Sequence, residues 1–462
     1  MVRQVSVLTT LTPDQVAFRL VFARTLAGGV IARIHLVPRL TCPPNGSFDS
    51  RATEIAGADK GIQTMTIAFQ SQGARTGRLL LFLAFGNFVI GMGIFTVIGS
   101  ISPIAKGLGT SEADTGIVVT TFALAYALLA PAAAALTGMV ARRLVLVAGM
   151  SIFCVSAVLS ALSTSILMLA SIRVLVALGV AMYMPIAAGV AVAISPPQQR
   201  GKALATVFGG ITLAQIFGTP FGSWVSYRFG WEAGFWAVAI LAAVSAAVVF
   251  LTIPRDVSFQ ANRISAIMDV LKDFRTMFAV SVTCTLLVAL YTVFTFFAPL
   301  IQASAGDNPE LRTWYLALYG IAGVAGNWIG GRLSDRIGGR RTLVIICIAQ
   351  AVLMPAFSII PWGPVPFAIL IIIWSIFSWS LVTPQQARLT LIAPQAISIV
   401  LALNGAMNYV GIAIGSAIGS HLLAWKGLAS LGISGGILVL LALVHLLASG
   451  RPRPHDAVQR PL

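Results

Sequence analysis

Four arginines and a single acid fall within twelve residues: Gly330-Gly331-Arg332-Leu333-Ser334-Asp335-Arg336-Ile337-Gly338-Gly339-Arg340-Arg341. A lone carboxylate among glycines and guanidinium groups can pair with a cation at a neighbouring helix end or cap a helix N-terminus. That chemistry makes and breaks contacts, not covalent bonds. Arg173 is a second charge of interest, placed in an otherwise apolar stretch. A guanidinium at such depth is costly unless paired or hydrated. It suits holding an anionic or polar group, or tuning a proton site. A third set is polar and aromatic: Asn87, Tyr126, Tyr183, Gln215, Tyr291, Asn327, Gln350, Asn404, Asn408 and Tyr409. Each can bond two helices together or contact a bound molecule. Asn404 and Asn408, four apart, share one helix face and are the best such candidates in the second half of the chain.

The elements that carry these residues are apolar. Of 462 residues, 58% are hydrophobic and 10% charged, and the mean hydropathy is +0.92. The bilayer is therefore the expected solvent. The net charge of +16 does not point to nucleic acid, because the basic residues are spread singly between apolar segments. Cys42, Cys154, Cys284 and Cys347 form no Cys-x-x-Cys pair, so neither a metal site nor a disulfide framework is expected. The chain carries no Gly-x-x-x-x-Gly-Lys-Ser/Thr loop and no His-Glu-x-x-His, and no soluble stretch long enough to house either chemistry. An ATP-driven pump, an enzyme and a cofactor are thereby disfavoured.

Twelve spans of about 20 residues, each enough to cross about 30 Å of hydrocarbon, are predicted over 79–101, 116–139, 144–163, 167–194, 203–226, 234–253, 277–301, 313–331, 342–360, 365–388, 396–420 and 429–449. The twelve-residue basic stretch becomes a short hairpin between the eighth and ninth. The domain reading is a basic, acid-poor extension over 1–76, either disordered or an over-long start with Met65 as initiator. A six-helix bundle over 77–253, a linker over 254–276, a second bundle over 277–450 and a tail over 451–462 follow. One side of this topology carries Arg142, Arg143, Arg200, Lys202, the linker and hairpin cations, and Arg451, Arg453 and Arg460. The other carries only Lys106, Arg228, Arg312 and Lys426. That asymmetry places both termini in the cytoplasm.

The halves are repeats. Arg142-Arg143 and Arg340-Arg341 lie 198 positions apart; Ala214, Gly218 and Gly222 recur 197 positions later as Gly411, Gly415 and Gly419. Pro197-Gln198-Gln199 recurs as Pro384-Gln385-Gln386. A duplicated six-helix unit binds its ligand near the midplane, between the halves. The four-residue spacing of glycines gives smooth helix faces, and Pro220 between Gly218 and Gly222 suits a helix that bends at a moving interface. A similar series, Gly320, Gly323, Gly326 and Gly330, lies in span eight.

These residues resemble the major facilitator superfamily. The stretch 330–341 is similar to its inter-helix signature, Arg173 to its intramembrane arginine, and Gly218-Thr219-Pro220-Phe221-Gly222 to its antiporter signature. Phe229-Gly230-Trp231-Glu232-Ala233-Gly234-Phe235-Trp236 resembles a run of the drug:proton antiporter branch with twelve spans. The segments 196–203 and 384–388 look most like the arabinose efflux permeases within it. The resemblance implies an all-α membrane protein of two pseudo-symmetric six-helix bundles. It also implies an exporter of a sugar-like or drug-like small molecule that works by alternating access in exchange for protons. An uncoupled facilitator and a non-transporting sensor or scaffold are the alternatives. Gating is expected of Asp335, Arg336, Gly331, Arg340, Arg388, Gly218, Pro220 and Gly222, with Asp335 partnered near Gly201 and by Arg388. Substrate or coupling roles are expected of Arg173, Asn404, Asn408, Gln215, Tyr126 and Asn87. A monomer in the inner membrane is expected. The matching first-half loop, 136–143, has no aspartate, which leaves the second-half copy carrying more of the gating.

One feature departs from that pattern. Every acid falls outside the predicted spans, so the titratable groups within them are His445 and His421, with Asp114 and Glu232 at the membrane edge. Few charges line the spans, which favours a neutral or weakly charged substrate, with a monoanion left open through Arg173.

Overall fold

The computed structural model describes residues 19–24, 30–35, 76–137, 140–254, 264–306, 308–359 and 361–449. It divides into two units, 1–72 and 73–462. In the first, strands β1 (Arg19–Arg24) and β2 (Val30–His35) pair antiparallel, Arg19 opposite His35. The rest of the expected N-terminal extension, with Met65, and the tail over 451–462 lie outside the described residues.

The second unit is helical. Its first half contains α1 (Thr76–Gly99), α2 (Ile101–Gly107), α3 (Glu112–Thr115), α4 (Ile117–Leu136), α5 (Arg142–Ala161), α6 (Ile166–Ala193), α7 (Arg200–Phe229) and α8 (Trp231–Thr252). After α9 (Ile264–Lys272), which lies in the expected linker, the second half contains α10 (Phe274–Phe294), α11 (Phe297–Ala305), α12 (Pro309–Ile337), α13 (Gly339–Ala356), α14 (Pro364–Trp379), α15 (Val382–Ile392), α16 (Ile397–Lys426) and α17 (Ala429–Ala448). Side chains cap several starts. Asn308 accepts from the amides of Glu310 and Leu311, and Ser165 from that of Met168.

Among the described residues, eleven helices are long and apolar enough to cross a membrane. The twelfth is α12. Its 29 residues reach about 43 Å at 1.5 Å per residue, but its glycines, Asn327 and its Trp and Tyr side chains dilute its hydropathy, and its charges, Glu310, Arg312, Arg332, Asp335 and Arg336, lie at its two ends. Large apolar side chains point outward, among them Leu81, Leu128, Leu251, Val352 and Leu441, as lipid-facing surface requires.

The internal repeat is visible in the packing. Thr96 of α1 donates to the Gly218 carbonyl of α7, and Thr292 of α10 donates to the Gly415 carbonyl of α16. Each glycine stripe lets a threonine-bearing helix approach at backbone distance. A methyl group at Gly222 would lie 2.3 Å from the Thr96 carbonyl oxygen, and one at Gly419 2.7 Å from that of Thr292.

The basic stretch is shorter as a loop than expected. Helix α12 continues through Asp335 to Ile337 and α13 begins at Gly339, so Gly338 alone turns the chain. Its φ of 85° lies in the region glycine enters without a Cβ clash. Helices alternate in direction from here. The end of the molecule with Gly338 is called the hairpin face, and the opposite end the far face.

Candidate functional site

The two halves meet along two seams, α4 against α16 and α7 against α12. The contacts concentrate toward the far face. Ser416 of α16 donates to the carbonyl of Gly116, just before α4, at 3.1 Å. The Arg312 guanidinium, at the start of α12, lies over the Tyr227 ring, near the end of α7, at 4.2 Å. A turn or more deeper, Gly320 and Gly323 face α7. A methyl group at Gly320 would lie 2.7 Å from Ile216 Cα, and one at Gly323 2.8 Å from Gln215 Nε2. At mid-depth the rings of Tyr126 and Tyr409 stand 4.0 Å apart, and Phe95 meets Trp379 edge-on. Toward the hairpin face, Gly209 of α7 and Gly405 of α16 have open space where a side chain would be.

Pro220 bears on the same seam. A proline supplies no N–H to the carbonyl four residues back, here that of Ile216. The Ile216 carbonyl oxygen is 3.0 Å from where a methyl group on Gly320 would sit. Helix α7 nevertheless runs unbroken from Arg200 to Phe229, so Pro220 removes one intrahelical bond at the contact without ending the helix.

Between the seams is a cavity of about 100 Å³. Helices α1, α4, α6 and α7 of the first half line it with α10 and α16 of the second. Its walls are chiefly apolar: Phe95, Val118, Phe122, Ile211 and Ile412. The polar exceptions are Tyr291, Tyr409 and Arg173. Arg173 is only 3% exposed, and its Nε and Nη2 make no hydrogen bond. Among the described residues its close partner is the Phe235 ring, 5.1 Å away. No carboxylate lines the cavity among the described residues.

The other expected site residues fall into different settings. Asn404 is buried and its oxygen accepts from Thr283 of α10, so it joins two helices of one half. Asn408, a turn further, is half-buried. Asn87 donates to the Val207 carbonyl at 3.0 Å, again within one half. Tyr126 and Gln215 do stand at the seams, against Tyr409 and Gly323. Gly218 and Gly222, expected at a moving interface, are packed against α1 of their own half. Among the described residues, Gly320 faces across the halves, as does Gly116 against Ser420 and Phe296, and Gly323 lies between Gln215 across the seam and Trp379 of its own half, while Gly326 and Gly330 pack on Ile376 and Ser380 within the second half.

The hairpin also differs from expectation. Asp335 and Arg336 are exposed, and Asp335 meets no cation among the described residues. Arg388 does not reach it. Arg388 is buried and bonds to the Ala279 carbonyl, Gln385 Oε1, and both the carbonyl and hydroxyl of Ser449. Arg340 donates to the Leu447 carbonyl at 2.7 Å. The end of α17 leaves carbonyls without intrahelical donors, and a cation satisfies them best; this draws both arginines away from Asp335. The hairpin does sit against the repeated Pro-Gln-Gln segment, since a methyl group at Gly339 would lie 2.4 Å from the Pro384 carbonyl oxygen. Gly331 is near Thr383 alone. His445 donates from Nε2 to the Phe278 carbonyl, and its Nδ1 is hydrogen-bonded to the Thr285 hydroxyl, on the α10–α17 contact and away from the cavity. Acids in span helices sit at their ends: Glu232 in the first turn of α8, and Asp114, hydrogen-bonded to Ser111, before α4.

Sequence reasoning missed Arg312, placed in a loop but 1% exposed, and its partner Tyr227. A cation and an aromatic ring at far-face ends of two spans were the available signal, but nothing local pairs α7 with α12.

A model of the Major Facilitator Superfamily matches residues 83–398. The inner membrane transport protein YdhP of Escherichia coli strain K12 is 30% identical over 378 residues, 81% of this chain and 96% of its own. The MFS-type transporter YbcL of Bacillus subtilis is 27% identical over 377 residues, 82% of this chain and 97% of its own. Among solved structures, a bacterial homologue of the human lysosomal transporter Spinster is similar in both inward-facing conformations, unoccupied and occupied. The TM-scores are 0.68 and 0.69 at 17% identity, over 83% and 82% of this chain and 98% of each structure. The two packed six-helix halves and a family match over more than half the sequence lead to one conclusion: this chain, a multi-pass membrane protein, belongs to the major facilitator superfamily.

Proposed function

We propose that this chain is a secondary transporter of the inner membrane. It exports a small amphipathic molecule by alternating access, in exchange for protons, with the hairpin face and both termini in the cytoplasm. The observation that carries this reading is the cavity shared by both halves, with inter-half contacts at Ser416–Gly116 and Arg312–Tyr227 on its far-face side and open space at Gly209 and Gly405 toward the hairpin face. A site that both halves build is exposed to one side or the other as the halves rock. The cation count supports the orientation: Arg143, Arg200, Lys202, Arg332, Arg336 and Arg341 crowd the hairpin face, and Arg312, one of the few at the far face, is buried at the seam. Both walls of the cavity come from one chain, which supports a functional monomer. The motifs around Gly218 and Gly230 support the drug:proton antiporter branch, near the arabinose efflux permeases.

On this reading the described state opens to the cytoplasm. Closing that side brings the start of α7, with exposed Arg200 and Lys202, toward the exposed Asp335. The carboxylate then acts as the latch of the cytoplasmic gate, with Arg336 beside it. Arg340 and Arg388 support the gate by holding α17 to the hairpin.

A second reading, uncoupled facilitation, is favoured by one observation: the described cavity lining holds no carboxylate. An exchanger would then take its proton at a membrane-edge acid such as Asp114 or Glu232. Uptake of a panel of labelled sugars and amphiphiles into everted membrane vesicles, with and without an imposed pH gradient, separates the two. Antiport requires uptake to rise with an acidic lumen and to collapse when the gradient is discharged. Uptake that ignores the gradient leaves the facilitator, and no uptake of any panel member overturns the transport reading.

A further inference from the structure

Arg173 is the single charge on the cavity wall among the described residues, and it is incompletely satisfied. A guanidinium has five N–H donors. Here Nε and Nη2 have no acceptor, the residue is 3% exposed, and the nearest compensating group is the face of Phe235 at 5.1 Å. A ring face offsets only part of the cost of desolvating a cation. The remaining lining is aliphatic and aromatic, with the phenols of Tyr291 and Tyr409 as further donors. We propose that this cavity is a site for a monoanion: an apolar body of about one-ring size bearing one carboxylate, or a comparable acid group, that Arg173 holds.

The proposal rests on the transport reading for its biological meaning, but its physical content is separate. A carboxylate accepts two parallel hydrogen bonds from a guanidinium, which supplies both geometry and charge. A dianion would carry a second charge into an apolar wall with no second cation to meet it. A neutral ligand would leave the guanidinium unpaired. Volume sets the upper limit on size: an apolar cavity of ~150 Å³ takes up benzene, and this one is about 100 Å³ in the described state, so a single ring with its acid group is the largest body it takes, and only if the wall yields. Few charges along the spans favour a neutral ligand; an incompletely satisfied charge on the cavity wall outweighs them.

The test uses two near-isosteric probes, [14C]benzoate and [14C]benzamide, bound to the purified full chain in lipid nanodiscs at pH 7. Benzoate is ionised there, because an ordinary carboxylic acid titrates near ~4. Wild type is expected to bind benzoate at least tenfold more tightly than benzamide. Arg173→Gln should bring the two to parity. Arg173→Lys should keep a weaker preference, because an ammonium cannot make the paired contact. Equal binding of the probes to wild type, binding of neither, or a benzoate preference that survives Arg173→Gln overturns the proposal. The wild-type comparison stands alone if a variant fails to fold. Everted vesicles separate the two readings. Export of neutral amphiphiles with benzoate neither bound nor moved defeats the anion site and leaves transport intact. Arg173-dependent benzoate binding with no substrate moved defeats transport and leaves the site.

Discussion

Gly320→Ala should shift the balance between the two facing states by opening the far face. The new methyl group would lie 2.7 Å from Ile216 Cα and 3.0 Å from the carbonyl oxygens of Gln215 and Ile216. Carbon atoms settle at about 3.5–4.0 Å, so α12 must retreat from α7 by roughly 1 Å. All three obstructing atoms are backbone, and none can rotate away. Overpacking of this kind costs about 1–3 kcal/mol, incurred only where the halves touch. At about 1.4 kcal/mol per factor of ten, the closed far face loses ~5- to 150-fold in population against the open one. The assay is double electron–electron resonance in nanodiscs, with spin labels replacing Lys106 of α2 and Lys426 of α16, both exposed at the far face in opposite halves, and the native cysteines replaced by serine. The longer-distance population should grow. Gly326→Ala is the control, since its methyl group would lie 2.2 Å from the Ile376 carbonyl oxygen inside the second half. It should lower the melting temperature without changing the distances. If Gly320→Ala also lowers stability and leaves the distances as in wild type, the assignment of Gly320 to a moving seam is wrong.

Arg312→Met should make the far face harder to open. Closing buries a guanidinium with Nε and Nη1 unpaired, and that desolvation cost exceeds the ~2 kcal/mol a Tyr227 contact returns; slower maleimide labelling of Ser416→Cys from the far side is the expected readout, and faster labelling contradicts it. Asp335→Asn should cut turnover in vesicles while insertion and yield match wild type, whereas a non-transporting scaffold would be indifferent. Arg388→Ala removes the donor for the Ser449 and Ala279 carbonyls. Hydrogen bonds to charged groups are worth roughly 1.5–3 kcal/mol each, so the thermal midpoint in detergent should drop by several degrees, with Arg388→Lys recovering part of it; an unchanged midpoint would show that the Arg388 bonds do not hold α17 in place.

Much of the architecture was legible because it follows from local chemistry. Long apolar runs separated by cations specify spans and their alternation, since backbone groups in hydrocarbon must bond within their own helix. The 197-residue spacing of Gly218 and Gly415 announced a duplicated unit, and the paired Thr96–Gly218 and Thr292–Gly415 bonds are its physical counterpart. Arg173 stood out as a charge in an apolar stretch, and it lines the cavity. The roles of the glycines were not readable. A four-residue stripe reports a smooth helix face and says nothing of which helix lies on it, so Gly218 and Gly222 read as a seam but pack within their own half.

By itself the sequence determined the membrane as solvent, the helices, the two-fold repeat and the family, because each depends on composition and spacing along one chain. Only the tertiary structure decided which surfaces meet. Gly320 rather than Gly218 faces across the halves. Arg388 is drawn to the carbonyl end of α17 rather than to Asp335. Arg312, read as a loop cation, is buried against Tyr227, and Arg173 faces a cavity that six helices build together. Contacts between residues 61 to 300 positions apart depend on how the helices pack, and no local pattern of residues encodes that arrangement.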